Sequence, residues 1–188
     1  MDASGARVDC GSAGMRIYVP ATIAMLQKLV ADGEVLPVSR TAFALTPALR
    51  EAYSSGDDDE LSEVAMAEAA RASLRLIATE TPEDGGGAGE GTAPRFRRAV
   101  IAADVDDVTP RPDLDDAVVR LAGVVTIEQV ASVHVDLAEA EADVEKAVEA
   151  IDAADLGDAD AEFDLGDAED HELAWYATQE LPFLLELL

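Results

Sequence analysis

The fold is decided first by residues 15–33, which read MRIYVPATIAMLQKLVADG. The run from Arg16 to Pro20 predicts a short strand. Thr22 is a typical helix N-cap, the apolar side chains after it recur at helical spacing, and Gly33 is a typical helix stop. A strand that leads directly into an amphipathic helix indicates a layered fold in which helices pack on a sheet.

The same alternation continues along the chain. Further strands are predicted at residues 41–45, 96–105, 117–121, 130–135 and 173–177. Further helices are predicted at residues 46–53, 57–79, 137–151 and 178–188. We therefore expect an α/β (or α+β) single domain, a mixed sheet of about five or six strands with helices packed on it.

Three segments lack strand and helix patterns. Residues 1–14, rich in Gly, Ala and Ser, predict a flexible leader, with Met15 as the expected natural start. Residues 80–94 are rich in Pro, Gly and Glu and predict a mobile loop. Residues 152–170 form a low-complexity acidic stretch that predicts a solvated acidic loop. The single globular domain is thus expected at residues 15–188.

Two segments share an order of elements. Strand, helix, strand and short helix run from Arg16 to Tyr53, and the same order runs from Ser132 to Leu188. One interpretation is an internal duplication of β-α-β halves. The other, which we favour, is chance similarity between short β–α junctions.

The chain is strongly acidic. It holds 40 Asp and Glu against 13 Lys and Arg, a formal net charge of −27, while 49% of its residues are hydrophobic. That composition fits a folded domain with an acidic surface better than a disordered tail. Residues 121–188 hold 19 of the acids and one basic residue, Lys146, and so carry most of the net charge. Such a surface repels nucleic acid and anionic membranes and attracts basic protein surfaces.

Composition also excludes several classes of protein. The single cysteine, Cys10, excludes an internal disulfide framework and suits a reducing compartment. No apolar run approaches the about 18–20 residues of a membrane span, and the first residues show no secretory pattern. We expect a cytoplasmic protein without membrane contact. Because no His or Cys cluster has zinc spacing and the glycines at 85–91 lack a phosphate-loop motif, the sequence predicts no metal and no cofactor.

The candidate catalytic residues are Ser132, His134 and Asp136, which alternate with valines and share one face of a predicted strand. Their residue types are those of a hydrolytic triad. Neighbours on one strand face stand about 6.6 Å apart along the chain, whereas a triad requires direct hydrogen bonds. A polar strand face and a helix cap at Asp136 are therefore the favoured interpretation.

The candidate partner-binding residues lie further along the chain. Glu141, Glu145 and Glu149 recur every four residues, so like charges follow one stripe of the predicted helix and Lys146 cannot neutralise all three. A solvated helix face and a surface for a cationic partner are both consistent with this stripe. Trp175 and Tyr176 are aromatic types that recur at binding hot spots, although a pair on a strand is more typical of a core.

Five runs of the sequence carry a resemblance to a known family: residues 15–22, 41–50, 70–76, 131–136 and 170–177. They resemble an uncharacterised family of small acidic actinobacterial proteins, a domain of unknown function. The resemblance covers most of residues 15–188 and implies an actinobacterial source and a cytoplasmic setting. It implies no chemistry, so no functional residue is carried over from it.

Two functions are consistent with the sequence. The favoured one is a noncatalytic interaction or regulatory protein whose acidic C-terminal surface binds a basic protein partner. The other is a small-molecule-binding domain or enzyme with a site around His134 and Asp136, next to the basic residues Arg95, Arg97 and Arg98. The sequence leaves the oligomeric state and the reaction, if any, open.

Overall fold

The first strand lies inside the sheet and runs directly into the first helix, as the opening stretch predicts. The computed structural model describes residues 14–80 and 96–188. The predicted leader (residues 1–14) and the predicted mobile loop (residues 80–94) lie outside the described residues except for Gly14 and Glu80, and Glu80 ends a helix. Strand β1 (Met15–Ala21) is followed by helix α1 (Ile23–Asp32), which Thr22 caps by accepting a hydrogen bond from Met25 N. Gly33, with φ of 75°, ends the helix in the left-handed conformation that glycine adopts at least cost.

The remaining elements follow in alternation. The strands are β2 (Glu34–Val35), β3 (Thr41–Ala44), β4 (Ala99–Val105), β5 (Val108–Pro110), β6 (Val118–Leu121), β7 (Val125–Thr126), β8 (Val130–Val135) and β9 (Ala174–Tyr176). The helices are α2 (Pro47–Ala52), α3 (Asp58–Glu80), α4 (Glu141–Asp155), α5 (Ala159–Glu169) and α6 (Leu181–Leu187).

The main sheet has seven strands in the order β5-β6-β3-β1-β4-β8-β9, and β2 pairs with β7 in a separate ribbon. The α/β class and a single domain with helices packed on its main sheet are confirmed. Every pairing is antiparallel, so the sheet is not mixed as expected. The strand count exceeds the predicted five or six because β5 lies within a Pro-rich stretch that the sequence analysis assigns to a turn.

Helices cover both faces of the sheet. On one face, α1 and α6 enclose the central core with Ile17, Val19 and Ile101. On the other face, α3 packs on the sheet through Ala65 and Ala69. Helices α4 and α5 form a hairpin that packs on the C-terminal half of α3. The small alanine side chains let these helices approach their neighbours closely.

The acidic stretch at 152–170 is not a loop, and that prediction is wrong. Its residues complete α4 and form α5, joined by a tight turn at Gly157, whose φ is 93°. Asp158 caps α5 by accepting a hydrogen bond from Ala161 N. Leu165 and Ala168 are fully buried against the hairpin core. An apolar stripe is therefore present beneath the acids, and burial of that stripe stabilises the helix.

The order β1, α1, β3, α2 is repeated in β8, the α4–α5 hairpin, β9 and α6. Strands β1 and β8 flank β4 on either side, and their antiparallel partners β3 and β9 lie one position further out. Helix α1 packs on the central core of the sheet, whereas α4 packs on α3. The internal duplication stays a prediction.

A buried hydroxyl joins α3 to the sheet. Ser73 Oγ donates to Ala21 O at 2.6 Å and accepts from Ala99 N at 3.1 Å, and Ser73 has no exposed surface. We expect Ser73→Ala to lower the free energy of unfolding by about 1–3 kcal/mol, because it leaves a buried N–H without this partner. Urea denaturation measures the loss, with Ser62→Ala on the same helix as control. Equal effects of the two changes would contradict this role for Ser73.

Candidate functional site

The predicted catalytic residues lie on β8 and just after it, but they do not form a triad. Ser132 Oγ lies 3.1 Å from His134 Nε2, so the two side chains span the gap that the sequence analysis considers too wide. Burial lowers the pKa of His134, and the nearby Arg16 guanidinium lowers it further. Among the described residues no carboxylate is hydrogen-bonded to His134. The pair is therefore without the orienting acid that a triad contains.

Asp136 is directed elsewhere, and its predicted role as a helix cap is wrong. It is fully buried, and its carboxylate accepts from Arg98 Nε and Nη2 at 2.8 and 2.7 Å in a bidentate pair. The same carboxylate accepts from Arg98 N at 2.8 Å. Helix α4 begins later, after a short 3-10 turn at 138–140. The residue following β8 thus binds the residue preceding β4 instead of a helix terminus.

The buried pair also holds the segment between α5 and β9. Arg98 Nη2 donates to His171 O at 2.8 Å. On the other side of this segment, His171 Nε2 lies 2.8 Å from Asp143 on α4, and this contact keeps the pKa of Asp143 below its usual value. His171 is in this way held between Arg98 and α4.

A cleft of about 670 Å³ opens between α3 and residues 169–173. It is lined by Glu63, Met66, Ala67, Glu68, Ala70, Arg71, Arg98, Glu169, His171, Glu172 and Leu173. Neither His134 nor Asp136 is among these lining residues, so the cleft does not coincide with the site predicted on β8. No sequence motif indicates the cleft, because its walls come from α3 and a segment about a hundred residues later.

The predicted basic cluster is dispersed. Arg97 pairs with Glu141 at 2.7 Å, Arg98 is buried with Asp136, and Arg95 lies outside the described residues. Most basic side chains of the described residues bind carboxylates in the same way, at 2.5–3.6 Å: Arg16, Arg50, Arg71, Arg75, Arg97, Arg98, Arg111 and Lys146. The net negative charge of the surface is therefore carried by the carboxylates that have no basic partner.

The predicted acidic stripe on α4 is divided. Glu141 is paired with Arg97, and Lys146 lies 3.6 Å from Asp143 instead of reaching the stripe. Glu145 and Glu149 are exposed and have no ion-pair partner among the described residues. The unpaired part of the stripe therefore begins one turn later than the sequence suggests.

The two predicted aromatic residues are in different environments. Trp175 is 61% exposed on β9, the edge strand, where it lies opposite His134. Tyr176, on the other face, is half-buried against the central core. The preference for a core position is wrong for Trp175, because its side chain lies exposed on the last strand of the sheet.

Sequence analysis missed two apolar side chains on the acidic hairpin. Leu156 is 90% exposed at the turn between α4 and α5, and Phe163 is 71% exposed on α5. Asp160 and Asp167 lie three residues before and four residues after Phe163, so helical geometry places both carboxylates beside its ring. The signal was the helical spacing of Ala161, Leu165 and Ala168, which turns Phe163 away from the core.

None of the helices within the described parts of the chain is long and apolar enough to cross a membrane. No group of three or more His, Cys, Asp or Glu side chains in residues 14–80 and 96–188 is arranged to hold a metal ion.

Comparison with known proteins identifies a family for this chain but no biochemical activity. Residues 15–185 match DUF6912, described as a family of unknown function. No curated protein and no solved structure matches the chain. The match spans nearly all of the described residues, including both walls of the cleft and the acidic hairpin. The chain therefore belongs to the family of unknown function DUF6912.

Proposed function

We propose that this protein is a noncatalytic interaction module that binds a basic protein partner through the α4–α5 hairpin. The observation that carries the proposal is Phe163, an aromatic side chain that is 71% exposed on the acidic helix α5. An exposed aromatic anchor with a charged surround has the composition of a binding hot spot. A second apolar anchor, Leu156, lies at the hairpin turn.

The charge of the hairpin supports a basic partner. Glu145 and Glu149 on α4 and Asp160 on α5 are exposed and have no ion-pair partner among the described residues. Exposed charges steer association and set specificity more than they add affinity. The partner surface we infer is thus a basic patch with an apolar recess for Phe163. Because acids repel phosphates, direct binding of nucleic acid is not part of this proposal.

The setting we propose is the cytoplasm of an actinobacterium. The single cysteine of the chain suits a reducing compartment. The scarcity of lysine, with Lys28 and Lys146 alone, and the abundance of alanine fit a GC-rich genome. The catalytic alternative around His134 is not favoured, because Asp136 is occupied by Arg98.

Phe163→Ala is expected to weaken binding of the partner about tenfold, which is about 1.4 kcal/mol. The matched control is Phe183→Ala, which removes a Phe that is 69% exposed on α6, away from the hairpin. Immobilised wild type and both variants are exposed to an extract of the source cells at about 50 and 200 mM salt, and the captured protein is then titrated in purified form. Specific capture that Phe163→Ala reduces and Phe183→Ala leaves unchanged is the expected result.

The charge requirement is tested with a second matched set. Reversing Glu145 and Glu149 to lysine is expected to reduce the association rate and the dependence of binding on salt. The control reverses Glu34 and Glu51, which are exposed on β2 and α2 and change the net charge equally. Equal losses in both double variants would show that only overall charge matters and would contradict a site on the hairpin.

A further inference from the structure

The cleft between α3 and residues 169–173 has the form of a small-molecule site. Its volume of about 670 Å³ is within the usual range for such sites, about 300–1,000 Å³. Met66, Ala67, Ala70 and Leu173 give it an apolar lining. Charged side chains line the rest of the cleft, so a ligand would contact both apolar and charged surface.

Arg98 supplies donors to this cleft. Its side chain is 3% exposed, and Nε and Nη2 are engaged by Asp136 and by His171 O. Within residues 14–80 and 96–188, Nη1 has no hydrogen-bond acceptor. Arg98 itself lines the cleft, and Nη1 is the guanidinium nitrogen that neither Asp136 nor His171 O engages.

The buried carboxylate of Asp136 makes this donor rigid. The bidentate contact fixes the guanidinium plane, and the backbone bond from Arg98 N to Asp136 fixes its base. A donor that is already oriented loses little entropy when it binds an acceptor. An acceptor oxygen, such as that of a carboxylate, is the complementary group.

The rest of the charged lining is acidic. Arg71 is already engaged by Glu162 and Glu169, which leaves Glu63, Glu68 and Glu172 without an ion-pair partner among the described residues. Partial burial raises the pKa of Glu68 most and the nearby Asp115 raises it further, while Arg71 and Arg75 lower it and Glu169 adds the smallest raising effect. A cationic group is the complementary partner for this part of the cleft.

Arg98 and Glu68 line the same cleft, so one ligand can contact both regions. Ser73 Oγ binds Ala99 N, so α3 contacts the sheet beside Arg98 at Ser73. Glu68 lies five residues earlier, about 7.5 Å along the helix axis and about 140° around it. The two groups therefore lie at different levels of the cleft, and the complementary ligand is extended, with its two charged groups at opposite ends.

We propose that this cleft binds a basic α-amino acid, with its carboxylate at Arg98 and its cationic side chain at Glu68. The methylene groups of the ligand lie on Met66 and Leu173. The site is separate from the acidic hairpin surface, and it does not depend on the protein partner proposed above.

Three probes of nearly equal size test the proposal by isothermal titration calorimetry. L-arginine is expected to bind. Agmatine, which lacks the carboxylate, and L-citrulline, which lacks the cationic charge, are each expected to bind at least about tenfold more weakly. The weaker binding of agmatine measures the contribution of the ligand carboxylate at Arg98. The weaker binding of citrulline measures the contribution of the ligand cation at the acidic lining.

Variants of the protein test whether Glu68 is the residue that binds the cationic side chain of the ligand. Glu68→Gln is expected to weaken L-arginine binding at least about fivefold, whereas Glu145→Gln, the same change on the solvated face of α4, leaves it unchanged. Phe163→Ala is also expected to leave L-arginine binding unchanged, which separates this site from the hairpin. The proposal is overturned if L-arginine gives no binding up to about 10 mM, if agmatine binds equally well, or if Glu68→Gln binds as wild type does.

Discussion

Asp136→Ala is expected to lower the free energy of unfolding by about 3–5 kcal/mol, because it leaves the Arg98 guanidinium buried without its counter-charge. Asp136 is completely buried and the Arg98 side chain is 3% exposed, so water cannot replace the lost carboxylate. The change also removes the acceptor of Arg98 N. A domain of this size is stable by about 5–15 kcal/mol, so the variant is expected to be near the limit of folding.

The chain contains a matched control for this prediction. Arg16 and Asp104 form a bidentate pair of the same chemistry, at 2.7 and 3.0 Å, but both side chains are nearly half exposed. Asp104→Ala is expected to cost no more than about 1 kcal/mol, because solvent screens the exposed pair and solvates the remaining guanidinium. Urea denaturation of both variants gives the two values. If Asp136→Ala costs no more than Asp104→Ala, the buried pair is not the structural centre inferred here.

A double variant that removes the charges of both Arg98 and Asp136 distinguishes the cost of an unpaired buried charge from the cost of losing the ion pair itself. The double variant Arg98→Met/Asp136→Leu is expected to be more stable than Asp136→Ala, because no unpaired charge remains buried. His171 O and Arg98 N still lose partners, so recovery is incomplete. Because the double variant also lacks the donor in the cleft, it is expected to lose the preference for L-arginine over agmatine while remaining folded.

The strand pattern could be predicted from sequence because it depends on local chemistry. The strand at 130–135 and the end of the first helix at Asp32 are observed where they are expected. The predicted boundaries fail where tertiary contacts decide them. Strand β5 includes Pro110 and forms because it pairs at the sheet edge with β6, which is a non-local interaction.

The candidate site was less predictable, because its residues meet only after folding. Asp136 has the position and residue type of a helix cap, and nothing local shows that Arg98, 38 residues earlier, takes its carboxylate instead. The Ser132–His134 contact depends on side-chain conformation, which a strand spacing does not give. The prediction of a loop at residues 152–170 was wrong for another reason. Glycine and aspartate favour turns locally, and the few apolar residues of this stretch stabilise a helix only through their burial.

Leu165→Ala is expected to lower the free energy of unfolding by about 2–5 kcal/mol, whereas Leu156→Ala is expected to change it by less than about 0.5 kcal/mol. The two leucines occur in the same tetrapeptide, Asp-Leu-Gly-Asp, at 155–158 and 164–167. Leu165 is completely buried in the hairpin core, while Leu156 is 90% exposed. The tetrapeptide is thus matched, while burial and position differ, since Leu156 lies at the hairpin turn and Leu165 lies within α5.

This pair of variants decides whether the acidic stretch is a packed helix or a solvated loop. In a loop, both leucines would be exposed and both changes would be nearly neutral. In the α4–α5 hairpin, Leu165→Ala leaves a cavity beside Ala161 and Ala168, and the cost rises with the volume of that cavity. Circular dichroism during urea denaturation measures both stability and helix content. Equal, small effects would contradict a packed helix at α5. The binding surface proposed around Phe163 would then have no rigid support.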